Sequence, residues 1–90
     1  METTHHKLRR LIRYYQRMSR SRNPIKIAKY ANIRIAILPL GNISGNYKLI
    51  NRKRWIFIND SIPVDSPLFE VVAAHELGHA LLHRKENCAF

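Results

Sequence analysis

The spacing of apolar positions changes along this chain, and the changes mark out its elements. Within KLRRLIRYYQRMSRSR, Leu8, Leu11, Ile12 and Tyr15 recur at i, i+3, i+4 and i+7. That is one apolar stripe on an α-helix, with Arg9, Arg10, Arg13 and Arg17 turned mostly away from it. The run SRSRN ends this helix. Asn23 then offers an N-cap oxygen, and Pro24 suits the first helical position because its missing N–H would have no partner there. A short second helix, Pro24 to about Ala31, follows.

From Ile33 the pattern turns extended. IRIAILPL is rich in β-branched residues and stops at Pro39, which predicts a strand over Ile33 to Leu38. GNISGN is a turn-forming cluster, Tyr47 to Ile50 is again extended, and NRKR turns the chain into WIFIN, residues 55–59. The last two runs read as a β-hairpin. DSIPVDSP is a loop in which Ser66 caps and Pro67 opens a final helix, LFEVVAAHELGHALLHR. That helix is apolar nearly all round before its histidines, the mark of a buried element. The order helix, helix, three strands, helix predicts a small α+β domain, with helices packed on a three-stranded, mostly antiparallel sheet.

Ninety residues make one domain near the lower limit for burying an unassisted core. Cys88 is the single cysteine, so no internal disulfide forms, which fits a reducing compartment. No apolar run approaches the roughly 20 residues of a membrane span. The start METTHHKLRR lacks the apolar stretch of a signal peptide, so the expected setting is cytoplasmic, with no membrane partner. The net charge of +10 is uneven: residues 1–34 hold ten Lys and Arg against Glu2, whereas residues 35–90 hold six against five acids. Such asymmetry points to an acidic or nucleic-acid partner and is silent about fold.

The chemistry concentrates in AAHELGHALLH, residues 73–83. Side chains four apart on a helix lie about 6 Å apart along the axis and nearly in line, so His75 and His79 project from one face. Two imidazoles so placed can share one zinc ion, which binds such nitrogens at about 2.0–2.1 Å. Glu76, about 100° further round, is placed to reach a water rather than the metal, the position of a general base. An HExxH pattern arises by chance at roughly one per cent in a chain of this composition. A buried helix disfavours His and Glu without partners, so the metal reading outweighs that of polar residues on an ordinary helix. His83 lies about 12 Å along the axis from His75, too far to share its ion. Glu86 and Cys88 would need a sharp reversal of the chain, and the third ligand is not identifiable. Gly78, inside a helix, suggests close backbone approach by a neighbour.

His75-Glu76-Leu77-Gly78-His79, continued by Ala80-Leu81-Leu82-His83, resembles the ImmA/IrrE-type metallopeptidases of phages and mobile elements. The resemblance extends upstream through NPIKIAKYANIRIAILPLGNISGNYK and WIFIN and covers about residues 23–90, leaving residues 1–22 as a basic amphipathic N-terminal helix. It implies a zincin-like domain with HExxH on the last helix, Zn2+ on His75 and His79, and Glu76 as catalytic base. It places the third ligand beyond this chain, which looks like the N-terminal part of such a protein. It also implies an endopeptidase whose substrate is a helix-turn-helix repressor of a phage or mobile element. WIFIN, lying just before the active helix, suggests an edge strand that takes up substrate by strand addition, with Trp55, Phe57 and Asn59 as contacts; core packing of Trp55 and Phe57 is the competing reading.

Two other functions compete. Arg9, Arg10, Arg13, Arg17, Arg20 and Arg22 can neutralise phosphates with Tyr14 and Tyr15 stacking on bases, which would make a nucleic-acid-binding module; a solvated helix face is the plainer alternative. A non-catalytic remnant that binds a regulator through the protease scaffold is the third. With the downstream segment absent, Leu77, Leu81 and Leu82 are expected to be exposed and to favour self-association.

Overall fold

The computed structural model describes residues 3–82 in full and the backbone of 88 and 89. Three helices and four strands follow one another as α1 (Thr4–Ser19), α2 (Pro24–Tyr30), β1 (Arg34–Leu38), β2 (Gly45–Ile50), β3 (Lys53–Asn59), α3 (Pro67–Leu82) and β4 (Cys88–Ala89). The α+β class is as the pattern predicted.

The helix starts follow the capping chemistry. Asn23 Oδ1 accepts from Ile25 N at 2.8 Å with Pro24 in the first position, and Ser66 Oγ accepts from Phe69 N at 3.2 Å ahead of α3. A third cap, Thr3, accepts from His6 N and starts α1 at Thr4, four residues before the first residue of the apolar stripe.

The sheet is mixed, with strand order β1-β3-β2-β4. β2 and β3 form the antiparallel hairpin, with Tyr47 opposite Ile56 and Gly45 opposite Ile58. Their connection is a two-residue turn in which Asn51 and Arg52 have φ of 51° and 66°. A right-twisted hairpin demands left-handed backbone at both central positions; Asn tolerates it readily and Arg less so. β1, however, runs parallel to β3, with Ile35 beside Ile56. β4 adds a short antiparallel edge to β2 that the sequence reading did not contain.

This order corrects the substrate-strand expectation. β3, which contains WIFIN, is a central strand with ladders on both sides, so its backbone offers no edge to an added peptide.

α2 and α3 lie on the sheet face that carries Tyr47, Ile56 and Ile58, each 0% exposed, and α1 packs on these two helices. Ile27, Ala28, Phe69, Val72, Ala73, Leu77, Ala80 and Leu81 close this core from the helix side, and Leu11, Ile12 and Tyr15 of α1 pack against it. Arg54, on the same face, donates to Ala31 O at 2.7 Å and Ala80 O at 3.4 Å. These carbonyls sit at the ends of α2 and α3, where helical partners run out, so one guanidinium ties two helix ends to the sheet.

The outward side of α3 differs from expectation. Leu77 and Leu81 are buried, whereas Leu68 and Val71 are exposed and continue the exposed Val64. With apolar residues nearly all round α3, sequence could not say which side the sheet would take.

Candidate metal centre

Residues 75–79 fall in the second half of α3, over the β2–β3 hairpin. One helical turn brings the imidazoles of His75 and His79 to a centroid separation of 5.0 Å, inclined at 65°. His75 is exposed and His79 half-buried, its Nδ1 facing inward out of solvent. α1 lies alongside: Leu8 and Ile12 join His75, Gly78, His79 and Leu82 around a small cavity of about 170 Å³. The apolar stripe of α1 thus forms one wall beside the histidines.

Glu76, next round the helix, is turned inward over Gly45 of β2. It is 1% exposed, and Oε1 is buried without a hydrogen-bond partner among the described residues. Loss of hydration disfavours the carboxylate and pushes its pKa up to about 7. A buried, unsatisfied carboxyl is costly, and in native proteins such a group calls for an explanation. A carboxyl titrating near neutrality, one residue from a pair of imidazoles, has the proton affinity suited to general base work.

Room for it comes from Gly45. A Cβ there would stand 2.7 Å from Val72 Cγ1, 3.0 Å from Glu76 Cγ and 3.1 Å from Glu76 Oε2. Only a residue without a side chain lets α3 lie this close to β2. In the sequence Gly45 is one member of the turn-forming cluster GNISGN. The glycine signal was visible, but its register opposite Ile58, which aims it at Glu76, was not.

Other expected contacts lie elsewhere. Trp55 and Phe57 stack on the opposite sheet face, ring centroids 5.8 Å apart, with the Arg34 guanidinium over Trp55. Asn59 is buried, its amide donating to Gly41 O and Ile43 O while Oδ1 accepts from Ser61 N, so it holds the β1–β2 loop. These three residues therefore do not gather around Glu76, because strand alternation turns Trp55 and Phe57 away from α3. Among the described residues Gly78 has no close backbone neighbour: an added Cβ would meet only the Leu8 methyls at 3.7 Å. His83, Glu86 and the side chain of Cys88 lie outside the described residues. Among the described residues no group of three His, Cys, Asp or Glu side chains is gathered for a metal.

The profile of the IrrE N-terminal-like domain, a peptidase family, matches residues 28–90. The chain belongs to this family. An "Uncharacterized immunity region protein 2" of Bacillus phage phi105 is 37% identical over 84 residues, covering 92% of this chain and 49% of its own length. The chain thus spans about half the length of that relative. No solved structure matches at a significant level. The match begins within α2, so α1, which packs against Gly78 and α2, precedes the matched part of this IrrE-like domain.

Proposed function

We propose that this IrrE-like domain carries the catalytic helix of a zinc-dependent endopeptidase. The observation that carries the reading is Glu76: a carboxyl 1% exposed, seated over Gly45 and adjoining two imidazoles 5.0 Å apart. The donor set fits zinc, because two neutral imidazole nitrogens one helical turn apart are ordinary ligands of that ion. His75 and His79 would hold it, with further ligation from outside the described residues. When bound, zinc supplies Lewis acidity, polarising a peptide carbonyl and acidifying water. Glu76 takes up the proton released as water attacks and passes it to the departing amine. Its raised proton affinity suits both halves of that transfer. Seated with Val72 over Gly45, it is held out of bulk water.

The proposed substrate is a helix-turn-helix repressor of a phage or mobile element. The immunity-region name of the phi105 relative supports a repressor-related role. The test uses the full-length protein. Glu76→Gln should retain zinc at near wild-type affinity and lose cleavage by at least a hundredfold, a typical contribution of general base catalysis. His75→Ala should lose both metal and cleavage. Normal turnover by Glu76→Gln would refute the assignment of the base.

A further inference from the structure

α1 has a second face that the peptidase reading does not use. At 3.6 residues per turn, His6, Arg10, Arg13 and Arg17 fall within an arc of about 60° with Arg9 beside it, and Arg20 follows as the left-handed C-cap of the helix. All five arginines are exposed. His6, Arg9, Arg10, Arg13, Tyr14 and Arg17 line one shallow depression on this side, and Arg13, Arg17, Arg20 and Arg22 border a second beside it. Every cation from Arg9 to Arg22 is an arginine, and Thr4–Ser19 contains no acidic residue to neutralise them along the helix. From His6 to Arg17 the stripe is about 16 Å long, the rise of about five phosphates along one strand of a duplex.

The packing of α1 narrows the partner. A helix that binds a membrane surface must bury its apolar side among lipid chains. Here Leu11, Ile12 and Tyr15 are packed against the protein core, leaving the basic face outward with Tyr14 and Met18 beside it. Protein–protein interfaces centre on apolar anchors with few charges, whereas nucleic-acid interfaces are strongly positive throughout. Guanidinium groups, with forked donors, suit phosphate oxygens in particular. We propose that the outer face of α1 binds the phosphate backbone of duplex nucleic acid, without regard to base sequence. Its inner face touches Gly78 through Leu8, so bound duplex would lie about one helix diameter, roughly 10 Å, from the histidines.

The experiment is fluorescence anisotropy of the whole chain with a 20-base-pair duplex of arbitrary sequence, titrated between 50 and 200 mM KCl. With about five phosphate contacts, log affinity should fall against log salt with a slope of about −4 to −5. Arg13→Gln/Arg17→Gln/Arg20→Gln should bind at least tenfold more weakly at 100 mM, with the slope reduced by about 3. The corresponding triple lysine variant should keep most of the slope. Lys48→Gln/Lys53→Gln, on the hairpin far from α1, should bind as wild type. Circular dichroism melts verify that each variant is folded. A triple glutamine variant that binds with unchanged slope, or a hairpin variant that loses as much as the triple, would overturn the assignment to α1. Equal or tighter binding to phosphatidylserine vesicles, or competition by polyglutamate as effective as by duplex at equal charge, would make the partner a membrane or an acidic protein and overturn it too.

Discussion

Gly45 lies directly beneath Glu76: a Cβ on the glycine would come within 3.0 Å of Glu76 Cγ and 2.7 Å of Val72 Cγ1. The proposed base therefore depends on a strand residue 31 positions earlier having no side chain. Gly45→Ala should force Val72 and Glu76 apart and cost about 1–3 kcal/mol, the usual price of overpacking a core. Urea denaturation should show a lower midpoint with unchanged slope. Wild-type stability of Gly45→Ala would show that the contact relaxes freely.

The buried carboxyl makes stability depend on pH in the metal-free chain. Its pKa rises from 4.5 to about 7 on folding, so the folded state holds its proton more tightly than the unfolded chain. Below the unfolded pKa both states are protonated, and the group exacts no penalty. Between about 4.5 and 7 the unfolded chain releases the proton first, so stability falls by about 1.4 kcal/mol per pH unit and levels off above 7. Glu76→Gln removes this slope. The difference between variant and wild type should grow through that window to about 3 kcal/mol in favour of the variant at pH 8. Parallel pH–stability curves from denaturant titration would refute a raised pKa.

Arg54 fastens the ends of two helices through Ala31 O and Ala80 O. Arg54→Met keeps the aliphatic stem and strands both carbonyls, and hydrogen bonds from charged donors contribute about 1.5–3 kcal/mol. A fall in melting temperature of about 10 °C is expected from calorimetry. Arg54→Lys should recover part of it, since a point charge reaches one carbonyl but lacks the fork.

Gly78 yields the opposite outcome. Its Cβ position meets only the Leu8 methyls at 3.7 Å, ordinary van der Waals contact. Alanine is favoured over glycine inside a helix by about 1 kcal/mol, so Gly78→Ala should stabilise the chain by roughly 0.5–1 kcal/mol. Destabilisation in thermal melts would mean that α1 packs more tightly on α3 than these distances indicate.

Local chemistry was legible in the chain alone. Asn23-Pro24 and Ser66-Pro67 announced two helix starts because a cap acts within three residues of itself. The stripe Leu8, Leu11, Ile12 and Tyr15 announced the buried side of α1 because helical period is set by the backbone. The spacing of His75, Glu76 and His79 placed three side chains around one helix for the same reason. What joined distant segments was not legible. That β3 enters between β1 and β2, making WIFIN central, depends on pairing across 21 residues between Arg34 and Trp55, which no local pattern encodes. α3, apolar on nearly every side, could bury either Leu68 and Val71 or Leu77 and Leu81; packing chose the second pair. The same choice drove Glu76 inward over Gly45 and raised its proton affinity. Sequence determined which groups were available, and the tertiary structure decided which of them water would leave.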